Sequence, residues 1–258
     1  MPAIPTIFSV ENQVVCITGS SRGLGKALAR AFAENGAKVV LTSFNKPELD
    51  QTYAEFNAAG LAVTAIPCDV ANTNDCQNLI ETTVTTFGRI DSIICNAGTD
   101  IIKPATEYND EEWDKILNVN LRGVYMCAKY AAIAMIGQQS GGNIIMTSSI
   151  ASHFGIAGLA PYASSKGAVN QLVKTMAVEF MPHNIRVNAI APGYLNNIMD
   201  GVVYDPNDPY QKRIIARTLM GRRGNLDEFI GAYIFLASNA SSYVTGQIIG
   251  VDGGYSCW

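Results

Sequence analysis

Residues 14–25 read VVCITGSSRGLG, in which four apolar residues run into a turn that contains three glycines. Apolar residues then recur at helical spacing as far as Phe32, so this stretch predicts a strand, a tight turn and a helix. Glycines in such a turn let the backbone approach a pyrophosphate, and the N–H groups at the helix N-terminus can bind it. The spacing is Gly-x-x-x-Gly-x-Gly, and a tight turn without a ligand is the alternative that it leaves open.

Strand-like apolar runs alternate with helical patterns along the rest of the chain. The predicted strands are 14–17, 38–42, 62–66, 90–95, 143–147, 185–190 and 247–251, and the predicted later helices are 47–59, 72–87, 110–135, 162–180 and 226–238. This alternation predicts a parallel sheet that is covered on both faces. We therefore expect a single α/β domain over residues 1–258, a Rossmann-type doubly wound parallel sheet of about seven strands with helices on both faces.

One segment, residues 194–224, breaks the alternation and is rich in Asn, Asp, Pro and Arg. Long insertions near the end of a sheet are usually functional, so we interpret this one as a small lid over the substrate. A mobile surface loop is the alternative.

Composition excludes several classes of protein. The chain has 258 residues, a net charge of −4 and 48% hydrophobic residues, without the Lys/Arg-rich face that nucleic acid requires. No apolar run is long enough to span a bilayer, and residues 1–12 lack the charge of a signal peptide. Six cysteines without a CxxC pair and only two histidines argue against a metal site. We expect a cytoplasmic protein with reduced thiols.

The segment after the second predicted strand bears on the choice between NAD and NADP. Sites selective for NAD usually place Asp or Glu there to bind the ribose 2′-OH, whereas residues 41–45 read LTSFN. Arg22 in the glycine turn can pair with a 2′-phosphate, and Ser43 and Asn45 can add hydrogen bonds. NADP(H) is therefore favoured and NAD(H) stays possible; the alternative is that Arg22 is a solvated surface charge.

Tyr162 and Lys166 lie four residues apart at the start of a predicted helix, on the same face. A neighbouring ammonium stabilises a phenolate, so we expect Lys166 to lower the pKa of Tyr162 and make it a general acid/base. Ser149 follows the fifth predicted strand, at the sheet edge where ligands bind, and can hold a substrate oxygen against Tyr162.

Taken together, these patterns resemble those of short-chain dehydrogenases/reductases. The resemblance runs from Val14 to Gly254 and rests on the motifs TGSSRGLG at 18–25, DV at 69–70, NAG at 96–98, NVN at 118–120, Ser149, Tyr162 with Lys166, PG at 192–193 and VDGG at 251–254, in the family's order.

The resemblance implies a role for each motif. Tyr162 would be the acid/base, Lys166 would also bind the nicotinamide ribose, Ser149 would polarise the carbonyl, and Asn120 would hold a water in a proton relay. The implied cofactor contacts are Gly19, Ser21, Arg22, Gly23, Leu24, Gly25, Ser43, Asn45, Asp69, Val70, Asn96, Ala97, Gly98, Tyr162, Lys166, Pro192, Gly193, Leu195 and Asn197. The substrate contacts are Ser149, His153 and Tyr162; for His153, capping a loop is the alternative. Asn197 stands where the family often has Thr.

Three functions are compatible with these residues. The lid segment resembles that of gluconate 5-dehydrogenase-type members, which favours NADPH-dependent reduction of a small polar ketone such as a keto-sugar or keto-sugar acid. The alternatives are a 3-oxoacyl thioester reductase and a non-catalytic dinucleotide sensor or scaffold, although the intact catalytic set argues against the latter. The family also implies a homo-oligomer, a tetramer or dimer, through helices whose apolar faces could equally be buried within one subunit.

Overall fold

The computed structural model describes residues 4–196, 205 and 207–258. Its centre is one seven-stranded sheet with the strand order β3-β2-β1-β4-β5-β6-β7, in which every neighbouring pair is parallel. The strands are β1 Val14–Ile17, β2 Lys38–Leu41, β3 Val63–Ala65, β4 Ser92–Cys95, β5 Gly142–Thr147, β6 Ile185–Pro192 and β7 Ile248–Val251.

Nine α-helices are found among the described residues. They are α1 Ile4–Ile7, α2 Gly23–Glu34, α3 Lys46–Ala58, α4 Thr73–Phe87, α5 Asp110–Leu117, α6 Val124–Gln138, α7 Ala160–Phe180, α8 Pro209–Arg217 and α9 Asp227–Ala237. A π-helical segment, Asn118–Gly123, joins α5 to α6. Over this part of the chain, no helix combines the length and apolar character needed to cross a membrane.

The strands are apolar throughout because both faces of the sheet are covered. Cys16 and Ile17 are both fully buried, but they point to opposite faces of β1 and belong to different cores. Helices α4, α6 and α7 pack in one core, and helices α2, α3 and α9 pack in the other. The predicted doubly wound parallel sheet with helices on both faces is confirmed.

The strand order fixes where a ligand can bind. The chain moves outward from β1 to β3 and then crosses back to β4 on the other side of β1. At such a switch point the loops after neighbouring strands separate and leave a crevice at the carboxyl ends of the strands. The glycine turn follows β1, and the segments that begin at Asn96 and Ser148 follow β4 and β5.

Two elements differ from the prediction. The helix expected over 110–135 is divided by the π segment Asn118–Gly123 and continues to Gln138. The lid segment, for which the sequence predicted an insertion but assigned no helix, contains helix α8. Proline is tolerated in the first helical turn, so Pro209 begins this helix where the sequence suggested a loop.

Candidate active site

The turn after β1 is shaped to hold a pyrophosphate. Helix α2 begins at Gly23, and its N-cap Arg22 makes no side-chain cap hydrogen bond with the described residues, which leaves the helix N-terminus to an anion. Gly19 has a φ of +65°, and a Cβ on Gly25 would lie 2.1 Å from the carbonyl oxygen of Gly19. These residues fit a dinucleotide, because the backbone itself lines the cradle.

Replacing Gly25 with Ala is expected to weaken NADPH binding at least about tenfold and to lower the free energy of unfolding by about 2 kcal/mol, because the new methyl group must displace backbone atoms. Nucleotide titration and denaturant unfolding measure the two effects. Gly231→Ala is the matched control, since a Cβ there would have no described heavy atom within 4 Å. NADPH binding by Gly25→Ala at the wild-type affinity would contradict the assigned cradle.

Four residues predicted to bind the cofactor lie around one acidic residue, Glu48 on α3. Ser21 Oγ lies 3.1 Å from Ser43 Oγ and 3.2 Å from Glu48 Oε2. Arg22 Nη1 lies 3.5 Å from Glu48 Oε1, and Asn45 Oδ1 accepts a 3.3 Å hydrogen bond from Glu48 N. The sequence showed no acid directly after β2, but the structure places one beside the same residues.

The segment Asp69–Val70 lies between α4 and the π segment. Asp69 N donates to Asp75 Oδ2 at 3.0 Å, and Cys76 Sγ donates to the Val70 carbonyl oxygen at 3.3 Å. A Cβ on Gly123 would lie 2.7 Å from that same oxygen, so glycine is needed for this close approach. The contacts hold Asp69 and Val70 at the rim of the crevice, where the resemblance places the adenine.

Thr18 joins the glycine turn to the segment after β4. Its Oγ1 accepts hydrogen bonds from Asn96 N at 2.9 Å and from Ala97 N at 3.0 Å. Asn96 Nδ2 in turn donates to the carbonyl oxygens of Thr18 and Gly19. Thr18 was quoted within the glycine motif but given no role, because its partners lie almost 80 residues away in sequence.

The ammonium of Lys166 is buried among the catalytic candidates. Nζ donates a 2.7 Å hydrogen bond to the Thr147 carbonyl oxygen and lies 5.7 Å from the Tyr162 ring centroid. A Cβ on Gly98 would lie 3.7 Å from Nζ, so this glycine keeps the space beside the ammonium open. Burial lowers the pKa of Lys166 to about 8, because the low-dielectric interior disfavours the charged form.

The pKa of Tyr162 departs from the sequence-based expectation. Burial raises it above its ordinary value, hydrogen bonding with Ser149 acts in the opposite direction, and the charge of Asp100 raises it slightly. Lys166 is not among the causes of this shift in the described structure, so the expected lowering of the Tyr162 pKa by the ammonium is not found, and desolvation of the phenolate is the largest cause. Tyr162 is therefore a protonated phenol at neutral pH, which suits a general acid.

Asn120 is fully buried at the π segment, near Lys166. Its side chain exchanges two 2.8 Å hydrogen bonds with the Thr99 backbone and donates to Ser165 Oγ at 3.3 Å. The side-chain amide is thereby occupied in bracing the segment after β4. A π segment changes the regular pairing of helix carbonyls, so the backbone of this segment is the part that can hold a water.

The turn after β6 meets the C-terminal segment. Gly193 N donates to Val251 O at 2.9 Å, and a Cβ on Gly193 would lie 2.6 Å from Asp252 Cα. Leu195 forms a bridge with Gly224 and its carbonyl oxygen accepts from the buried Arg223 at 3.0 Å. Pro192 ends β6, while the predicted contact at Asn197 lies outside the described residues.

A cluster of three aromatic rings, with two guanidinium groups packed against it, lies beside the segments that follow Ser149 and Gly193. The Tyr255 ring centroid is 5.6 Å from that of Phe154 and 5.3 Å from that of Tyr194. The Arg217 guanidinium lies 4.9 Å from the Phe154 ring and 4.8 Å from the Tyr255 ring. No local sequence pattern indicates this ring cluster, because its members come from four distant segments. His153 itself is exposed, next to Phe154.

Known proteins are similar to this chain in sequence over nearly its whole length. Residues 19–256 match the family described as enoyl-(acyl carrier protein) reductase. A probable NADP-dependent mannitol dehydrogenase of Yarrowia lipolytica is 39% identical, with 97% of this chain and 90% of that protein covered. A 3-oxoacyl-[acyl-carrier-protein] reductase of Thermotoga maritima is 36% identical, with 95% and 98% covered.

A solved structure extends the likeness to three dimensions. The gluconate 5-dehydrogenase of Burkholderia cenocepacia, in complex with NADP and tartrate, is 34% identical with a TM-score of 0.91, and 98% of each chain is covered. Its match, like those above, spans the glycine turn, the Tyr162–Lys166 pair and the lid segment together. The chain is therefore an oxidoreductase that belongs to the short-chain dehydrogenase/reductase family.

Proposed function

We propose that the chain is a single catalytic domain that reduces a small polar ketone with NADPH. The observation that carries the proposal is the placement of Lys166 Nζ within 5.7 Å of the Tyr162 ring, at the sheet edge that also holds the glycine turn. The relatives named for NADP and for polyol or gluconate oxidation support the same cofactor and substrate class.

The residues have distinct tasks in this reaction. A bound nicotinamide supplies the hydride chemistry. Ser149 and Tyr162 hold the substrate oxygen by hydrogen bonds, and Tyr162 gives it a proton as the alcohol forms. Lys166 stabilises the resulting phenolate, and a water held by the backbone near Asn120 relays a proton from solvent through Lys166, which restores the phenol.

The lid segment contributes polar groups to the substrate side. Tyr194 and Tyr210 have their hydroxyl oxygens 3.3 Å apart, and the Arg217 guanidinium lies against two rings. Arg217 Nη2 donates to the Trp258 carbonyl oxygen at 3.1 Å, and the N–H groups that remain in the guanidinium plane can bind a carboxylate. We therefore favour a keto-sugar acid over a neutral keto-sugar.

Arg217→Gln is expected to raise the KM for a keto-sugar acid about tenfold while changing the KM for the matching neutral keto-sugar less than about threefold, because only the carboxylate loses an ionic partner. Initial-rate kinetics with the two substrates measure the difference. Lys212→Gln removes one positive charge from an exposed position of the same helix and is the control. An equal rise for both substrates would show that Arg217 serves the fold of the lid instead.

The second candidate function is reduction of a 3-oxoacyl thioester, favoured by the Thermotoga maritima relative and by the family description. Initial rates with NADPH separate the two, using a panel of keto-sugars, keto-sugar acids and a 3-oxoacyl thioester. A kcat/KM at least about tenfold higher for the thioester would replace the proposed substrate class. Binding of NADPH without turnover of any member would favour the non-catalytic sensor.

The proposed enzyme is a homo-oligomer in the cytoplasm. Ile133 on α6 and Val178 on α7 are exposed apolar side chains, 56% and 78% accessible, and are the surface through which a dimer or tetramer would form. All six cysteines are free thiols, as expected for a protein that works in the reducing cytoplasm.

A further inference from the structure

Glu48 is the acidic residue beside Ser21 and Arg22, where the proposed function places the 2′ end of the cofactor. Its backbone is fixed by the N-cap of α3, where Asn45 Oδ1 accepts from Glu48 N at 3.3 Å. Its carboxylate then reaches back across the crevice rim to Ser21 Oγ at 3.2 Å and Arg22 Nη1 at 3.5 Å. The carboxylate therefore contacts the polar side chains of two residues in the glycine turn, Ser21 and Arg22.

Arg22 can exchange its partner Glu48 for another anion. The side chains are 53% and 34% exposed, and an ion pair at this degree of exposure is worth little in water. A 2′-phosphate is a stronger, bidentate partner for the guanidinium than a carboxylate 3.5 Å away. Arg22 can therefore leave Glu48 at small cost when that phosphate arrives.

The same carboxylate has opposite effects on the two nucleotides. It neutralises Arg22 and repels a phosphate dianion, because like charges at close range oppose binding. Toward a ribose 2′-OH it is an acceptor, which is the role of the acidic residue in sites that bind NAD.

We propose that Glu48 is a specificity-determining residue that restrains the preference for NADP(H) and retains affinity for NAD(H). The inference rests on the proposed function, since it takes Arg22 as the partner of the 2′-phosphate. In the absence of that phosphate Glu48 holds Arg22, and in its presence Arg22 transfers from the carboxylate to the phosphate.

The test is Glu48→Gln, with binding measured by calorimetry for NADPH, NADH and the fragments 2′,5′-ADP and 5′-ADP. The dissociation constants of NADPH and 2′,5′-ADP are expected to fall about three- to tenfold, mainly because Arg22 no longer has to leave a carboxylate partner and to a smaller extent because the repulsion is removed. The dissociation constant of NADH is expected to rise about two- to fivefold, because an amide is a weaker acceptor than a carboxylate. In an Arg22→Ala background the gain for 2′,5′-ADP is expected to shrink to less than about twofold.

Glu55→Gln is the matched control, since Glu55 lies on the same helix and pairs with Lys26 and Arg30 on α2. It is expected to leave all four affinities within about twofold. Equal changes for NADPH and NADH in Glu48→Gln, or no change in either, would overturn the proposal. The fragment titrations need no carbonyl substrate, so an error in the proposed reaction leaves their outcome readable.

Discussion

Tyr162→Phe is expected to lower kcat for ketone reduction about a thousandfold while leaving the dissociation constant of NADPH within about threefold. The phenol is the proton donor in the proposed reaction, and general acid catalysis typically contributes 10²–10⁴-fold. The pKa of Tyr162 is raised by burial, so the donor is protonated at working pH. Steady-state rates and nucleotide titration measure the two quantities.

The control for this substitution is Tyr53→Phe, which removes a hydroxyl from a side chain that is 37% exposed on α3. It is expected to leave kcat unchanged. A Tyr162→Phe enzyme with more than about a tenth of the wild-type kcat would contradict the assignment of Tyr162 as the acid.

Lys166→Met is expected to lower kcat at least about a hundredfold and to change the pH dependence of both activity and stability. The ammonium no longer stabilises the phenolate, and its 2.7 Å hydrogen bond to Thr147 O is lost. Burial lowers the pKa of Lys166 to about 8 in the free enzyme, so the wild-type kcat/KM for reduction is expected to fall as the pH rises above about 8. Lys166→Met should lack this fall in kcat/KM above about pH 8.

The free energy of unfolding provides a second measurement, because the pKa of Lys166 determines whether this free energy rises or falls with pH. The folded pKa of Lys166 is about 8 and the ordinary value is 10.5, so between these pH values the unfolded chain binds more protons. The free energy of unfolding of the wild type should therefore rise relative to Lys166→Met across this window, by about 3 kcal/mol at 1.36 kcal/mol per pKa unit. Denaturant unfolding at several pH values measures it, and a constant difference would show that Lys166 does not titrate there.

The sequence predicted the fold because apolar strands and helical patterns report burial directly. Strand β1 was predicted with the bounds that the structure has, Val14–Ile17, since all four residues are buried and a glycine turn follows. The π segment at Asn118–Gly123 could not be foreseen, because the apolar pattern continues through it. Helix α8 was hidden by Pro, Asp and Arg residues that also suit a loop.

The sequence predicted those parts of the candidate site that lie within one short motif. It did not predict contacts between residues that are far apart in sequence and are brought together by folding. The Tyr162–Lys166 pair follows from helical spacing, but the raised pKa of Tyr162 depends on burial that sequence spacing does not describe. Glu48 was missed because it reaches the 2′ end from the first turn of α3 and not from the end of β2. Arg217 was missed because its ring partners are far away in sequence.

Hydride transfer with a labelled nucleotide tests the central claim most directly. Wild-type enzyme and Tyr162→Phe would each be incubated with a keto-sugar acid and with NADPH in which both hydrogens at nicotinamide C4 are deuterium, and the products would be analysed by mass spectrometry. The account predicts an alcohol with one deuterium on the former carbonyl carbon for the wild type, formed about a thousandfold more slowly by the variant. Deuterium-labelled alcohol formed equally fast by Tyr162→Phe would contradict it.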